Sequence, residues 1–164
     1  MSIKVSVRDG EALSGTLYYS RSEYSFRFEV DDVSGLAEKV GHHGVASLAV
    51  GTLQIEVDIE SMSALYVWGL HPDVKWREGS VALRVPVREG KVVIDVGSIM
   101  SAGVALEIAA VNEWGTTFDS LTGWARVAPH GLVEDEIVLI ATGVGLGIVN
   151  LEIGSVWLNP LVGD

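Results

Sequence analysis

Tyr24-Ser25-Phe26-Arg27-Phe28-Glu29-Val30-Asp31 alternates apolar and polar side chains without a break. In an extended chain this puts Tyr24, Phe26, Phe28 and Val30 on one side and Ser25, Arg27, Glu29 and Asp31 on the other, as in a strand with one dry and one wet face. The pattern returns further along, with Ile55, Val57 and Ile59 set against Glu56, Asp58 and Glu60. Between such segments stand turn-forming residues: Asp9-Gly10, Ser61-Met62-Ser63, Asp119 to Gly123 and Pro129-His130-Gly131. Short alternating runs at such spacing predict an all-β domain, an antiparallel sandwich or partly closed barrel of roughly ten or more strands.

The strongest local pairing signal is Val81 to Val96. If Glu89-Gly90 is a two-residue loop, Val87 meets Val92, Val85 meets Ile94 and Leu83 meets Val96 on one face, while Arg84 meets Asp95 on the other. Hydrophobicity and charge select the same register, and Pro86, which has no N–H to donate, marks 81–88 as an edge strand or a bulge. Helical signals are few. Ser34 to Val40 is capped by Asp32 or Ser34 but limited by Gly35 and Gly41, so at most one short helix is expected. Ser98 to Val111 reads either as an alanine-rich helix or as a strand through Val104, Leu106 and Ile108. The short likeness of 64–72 to 154–160, strands that end in Trp and then Pro, is too brief to establish an internal duplication.

Composition bounds the rest. The 164 residues suit one domain, 1–164, and no composition shift marks a linker. Eleven Lys and Arg against 22 Asp and Glu give a formal net charge of -11, the wrong sign for a protein that tracks nucleic-acid phosphates. An apolar fraction of 48% excludes a disordered acidic tail. The absence of cysteine removes disulfides, thiolate metal sites and thiol nucleophiles, and agrees with a cytoplasmic location. The N-terminus alternates like a strand and does not resemble a secretory signal. Ile137–Val149 is too short and too glycine-broken for a spanning helix of ~20 residues, so no membrane partner is expected.

No motif for catalysis emerges. Gly143-Val144-Gly145-Leu146-Gly147 looks like part of a phosphate loop, but no helix follows to hold an anion, so a glycine-eased bend between strands is expected and no cofactor. His42-His43 would point to opposite faces of a strand, and no ligand spacing accompanies them, His71 or His130, so no metal is expected. A nucleophile elbow is absent, and Ser98 and Ser101 do not supply one. Asp119 reads as a turn residue that caps its own backbone. No loop of the calcium-binding spacing occurs.

Two features rise above this background. Glu56, Asp58 and Glu60 form a row of carboxylates on one strand face, which would either solvate a sheet or steer a basic protein surface; Glu134-Asp135-Glu136 adds a shorter cluster. The loop His71-Pro72-Asp73-Val74-Lys75-Trp76-Arg77 gathers a base, an acid, cations and an aromatic ring. Of the five tryptophans, Trp68 and Trp157 lie in apolar runs and are expected in the core, whereas Trp76, Trp114 and Trp124 lie at strand ends. The chain is therefore expected to be non-enzymatic and to bind a partner protein with a basic surface, as immunity or antitoxin-type inhibitors do. Glu56, Asp58 and Glu60 would steer, with His71, Asp73 and Trp76 at the contact. Two alternatives are a small-ligand pocket near the His71–Arg77 loop and a self-associating structural protein.

Overall fold

The computed structural model describes residues 3–95 and 100–164. Among them are sixteen strands and one α-helix. The elements are β1 (Lys4–Arg8), β2 (Gly15–Ser20), β3 (Ser25–Val30), α1 (Val33–Lys39), β4 (Val45–Val50), β5 (Leu53–Asp58) and β6 (Ala64–Leu70). After a single 3-10 turn at Asp73–Lys75 come β7 (Arg77–Glu78), β8 (Val87–Glu89), β9 (Lys91–Asp95), β10 (Ala105–Ala109), β11 (Gly115–Phe118) and β12 (Ala125–Ala128). The chain ends with β13 (Glu136–Ala141), β14 (Val144–Val149), β15 (Glu152–Leu158) and β16 (Leu161–Gly163).

These strands form two sheets in a sandwich-like arrangement, not a closed barrel. One, of nine strands, runs β7-β11-β12-β15-β14-β13-β8, with β1 and β9 attached through β15. The other, of seven, runs β10-β4-β5-β6-β3-β2-β16. Both are mixed. Antiparallel pairs make up the interior, while β7, β8, β10 and β16, which end the two strand orders, each join in parallel. Three of these four have only two or three residues, which leaves little free edge to template aggregation. Single bridges, Leu13 to Ala141 and Ser63 to Val93, tie the two sheets together.

The period-two pattern predicted the inner faces of β3 and β5, where Phe26, Ile55 and Val57 are buried and Phe28 and Val30 half-buried. Tyr24, expected with them, instead precedes β3 in a turn at φ +55° and is 50% exposed. Leu17, Tyr19, Phe26, Leu48, Ile55, Val57 and Val67 of the seven-stranded sheet share one buried cluster with Val127, Val138, Ile140, Val144, Leu146, Val156 and Leu158 of the other. At about 1.5–3 kcal/mol per large apolar side chain, this layer dominates the favourable side of folding. The nine-stranded sheet is also covered on its outer face, where Val81, Ile137 and Trp157 form a second cluster with Val85 and Trp124. Burial on both faces explains why Ile137–Val149 reads as a continuous apolar run instead of an alternation.

The expected hairpin at 81–96 is not formed. β8 pairs in parallel with β13, and β9 pairs antiparallel with β1, setting Val5 opposite Ile94 and Val7 opposite Val92. Gly90 continues the first of these by donating to the Leu139 carbonyl at 3.2 Å, so Glu89-Gly90 is a passage between two pairings and not a turn. Arg88 meets Glu136 at 2.9 Å, and Arg84 is exposed outside any strand. Val96, the last residue of that proposed register, lies outside the described residues. Edge placement was nonetheless right: β8 ends its sheet, and Pro86, just before it, contributes only its carbonyl, to Ile137 N–H.

The helix appears where the caps put it. The Asp32 carboxylate accepts from the Ser34 N–H at 3.0 Å and opens α1. The described part of 98–111 resolves as a strand, β10. Gly143 to Gly147 is a turn and a strand. Gly143 takes φ +72° between β13 and β14, and a Cβ on Gly145 would come 2.9 Å from Ile137 Cγ2. The opposite end of β14 turns through Asn150 and Leu151, both at positive φ (50° and 59°), as a two-residue hairpin loop of the primed type requires. Among the described residues no helix is long and apolar enough to cross a membrane.

Candidate binding recess

The 70–77 connection is built from the outside in. Pro72 fixes its own φ and leads into the 3-10 turn, which closes when Trp76 N–H donates to the Asp73 carbonyl at 3.0 Å. That turn sends the Trp76 ring back over the end of the seven-stranded sheet. There it meets Tyr19 (4.8 Å between centroids), Phe26 (6.0 Å) and, from the other sheet, Phe118 (5.9 Å). His71 enters the same cluster, 5.7 Å from Trp76, and its Nε2 lies 2.7 Å from Thr116 Oγ1 on β11.

Burial decides the state of two groups here. It lowers the His71 pKa from 6.5 to about 4, so the imidazole is neutral at pH 7. Burial, with the nearby negative charge of Asp73 as the next cause, raises the Tyr19 phenol to about 12. That phenol donates to the His71 carbonyl at 2.8 Å. Both side chains thus tie the loop to the sandwich, and His71 acts as a link between sheets, not a solvent-facing base.

Beside this cluster is a recess of about 180 Å³. Tyr19, Trp76, Phe118 and Val162 supply its apolar surface. Arg21, Asp73, Arg77 and Glu78 supply its charges. The lining joins β2, its neighbour β16, the 3-10 turn, β7 and β11, so it opens where the edge strands β7 and β16 of the two sheets approach each other. Asp73 and Trp76, singled out from sequence, are brought together here. Tyr19, Arg21, Phe118 and Val162 were not foreseen, because pairings across most of the chain deliver them and no local pattern announces them.

The predicted row of carboxylates is corrected. Asp58 is 1% exposed, and its oxygens accept from Gly41 N–H (3.0 Å), Ser61 N–H (2.9 Å) and Ser61 Oγ (2.7 Å). Burial alone would raise its pKa, but those bonds hold it below the usual carboxylate range. β5 stops at this residue, and Asp58 caps the turn that follows it. Glu60 is exposed in that turn, 3.8 Å from His43 Nδ1. Glu56 alone lies on the sheet's outer face, where Trp68 Nε1 donates to it at 3.2 Å and Tyr66 Oη at 3.4 Å. Burial raises its pKa against the effect of those two bonds. Trp68, expected in the core, is 42% exposed, because its register partner Gln54 belongs to the outer set of β5.

The Glu134-Asp135-Glu136 cluster is likewise consumed within the fold. Glu136 pairs with Arg88, Asp135 accepts from the Asn150 N–H at 2.8 Å, and Glu134 is 7% exposed. Glu134 receives Arg126 Nε and Nη2 (each 2.9 Å), Ser155 Oγ (2.7 Å) and Trp157 Nε1 (2.8 Å). Gly147 provides the space. A Cβ there would lie 2.6 Å from Glu134 Cγ and would overlap Ser155 Oγ. Gly147→Ala is therefore expected to lower stability by about 1–3 kcal/mol, the range for overpacking, as a shift in urea midpoint at constant slope.

Asp119 does cap its own turn, accepting from Leu121 N–H at 3.0 Å, and it also holds Val81 N–H at 3.0 Å. Among the described residues no three His, Asp or Glu side chains are grouped to hold a metal ion. No protein-family model matches the chain, and the curated proteins contain no match to it. What this arrangement offers chemically is binding: an aromatic floor, charges of both signs at its rim, and a histidine already occupied by Thr116.

Proposed function

We propose that this chain is a non-enzymatic, cytoplasmic domain that binds a partner protein at the recess between β7 and β16. The observation that carries the reading is the size and lining of that recess. At about 180 Å³ it is smaller than the ~300 Å³ at which pockets begin to enclose a drug-sized ligand. It suits one inserted side chain on Tyr19, Trp76 and Phe118, the kind of well-packed pocket in which interface energy concentrates. Tyr24 in the turn before β3, Leu70 at the end of β6 and Val74 in the 3-10 turn are all exposed, and Val74 is 81% so. His71 Nε2, bonded to Thr116, supports binding over acid–base work. The net charge of -11 favours a partner with a basic surface, steered by the field of the whole molecule and not by a Glu56/Asp58/Glu60 row.

Affinity capture from cytoplasmic extract at low and high salt, with wild type and a Leu70→Asp/Val74→Asp variant, tests this reading. A protein retained by wild type at low salt, released at high salt and reduced at least tenfold on an equally stable variant is the expected result. Retention of the same proteins by both forms defeats the proposal.

A further inference from the structure

In a chain with twice as many acids as bases, arginines without a carboxylate partner stand out. Arg21, just after β2, and Arg77, in β7, line the recess from the two different sheets. Neither makes an ion pair among the described residues. Glu78, next to Arg77 in sequence, is engaged elsewhere, accepting from the Ser120 N–H at 3.1 Å and from the Ser120 hydroxyl. The indole N–H of Trp76 is buried with no acceptor, and a buried donor left unpaired costs about 1–3 kcal/mol. One small cavity is thus lined by two guanidinium groups in want of an anion, with the Trp76 side chain between the sheets beside them.

Resting on the partner-binding reading above, we infer that the recess takes the C-terminal residue of the partner protein. Its apolar side chain sits on Trp76, Phe118 and Val162, and its terminal carboxylate lies between Arg21 and Arg77. A guanidinium fork matches a carboxylate in two parallel hydrogen bonds, and the free end of a chain is the one place where a carboxylate and an apolar side chain belong to the same residue. Asp73, in the same lining, offers an acceptor for that residue's peptide N–H, which accounts for an acid beside two arginines. The volume admits one residue, so specificity resides in the last position.

The experiment is a titration of ¹⁵N-labelled protein with acetyl-Gly-Ser-Leu, once as the free acid and once as the C-terminal amide. The readout is the Trp76 indole N–H resonance, assigned by its loss in Trp76→Phe. The free acid is expected to move that resonance saturably, with the amide at least tenfold weaker. Arg77→Gln and Arg21→Gln should each reduce the difference between acid and amide severalfold. Equal binding of acid and amide, or no movement with either, overturns the inference. Acetyl-leucine, which carries the same side chain, carboxylate and N–H, is expected to bind within severalfold of the tripeptide, whereas acetate binding as tightly as the tripeptide overturns the inference by making a bare anion the occupant. Leu70 and Val74, which carry the test of partner binding, lie outside the recess lining, so the two readings fail separately.

Discussion

Replacing Glu134 by alanine is expected to destabilise the protein by about 3–5 kcal/mol, the range for breaking a buried ion pair from one side. The loss is large because four donor bonds end on this carboxylate. Arg126 would keep its charge beside the sheet, with only the Leu132 carbonyl (2.8 Å) as partner for Nη2. Ser155 Oγ, fully buried, would lose its acceptor, and Trp157 Nε1 would retain only Ser155 at 3.0 Å. Burial raises the Glu134 pKa, but the Arg126 bond, the Ser155 bond and the Arg126 charge together hold it below the usual carboxylate range, so the ion pair is formed at neutral pH. Glu134→Gln keeps the shape and some of the bonds and should fall between wild type and alanine. For a chain of this length each kcal/mol is worth about 2–4 °C in midpoint, so thermal unfolding by circular dichroism should show a drop on the order of 10 °C for Glu134→Ala. A drop under 2 °C would mean the network is solvated and contributes little.

The contrast between what local pattern reveals and what it hides runs through these same residues. β3 and β5 could be read directly, because one face of each meets the core and the other meets water, and a period of two follows from that geometry alone. The glycines of β14 were legible as packing features for the same reason: no helix follows them. Val81 to Val96 misled, because its alternation was real while its partners were not local. A strand's pattern states which face is dry but not which strand lies beside it: β9 pairs with β1 and buries Val92 and Ile94, while Val87 in β8 and Leu83 outside any strand stay exposed. Asp58 and Glu134 show the corresponding limit for charge. Each reads as a surface acid until the turn at Ser61 or the arginine on β12 is brought against it. The recess was half legible. Asp73, Trp76 and Arg77 are close in sequence and signal a loop with chemistry, whereas Tyr19, Phe118 and Val162 reach it only through the pairing of distant strands.

Acid should unfold this protein earlier than its carboxylates alone require, and His71 is the cause. Its pKa is 6.5 as an ordinary side chain and about 4 when folded, lowered by burial. Between those values the unfolded chain binds a proton that the folded chain does not, so stability rises with pH in this window. The contribution is complete above pH 6.5 and is lost progressively as pH falls through 4. At 1.36 kcal/mol per unit the loss amounts to about 3 kcal/mol. Glu134 and Asp58, whose folded pKa values are lowered, add losses of the same sign, but only below the ordinary carboxylate values of 4.5 and 3.8. Glu56 acts the other way, since its raised pKa favours the folded state as pH drops past its titration. In a Glu56→Gln background, which removes that opposing contribution, the interval from pH 6.5 to 4.5 therefore isolates His71 from the shifted carboxylates. His71→Gln, which can still hydrogen-bond Thr116, should cost some stability at pH 7 yet flatten the urea midpoint across that interval. A variant as pH-sensitive as its Glu56→Gln parent between 6.5 and 4.5 would show that His71 takes up its proton without disturbing the joint between the sheets.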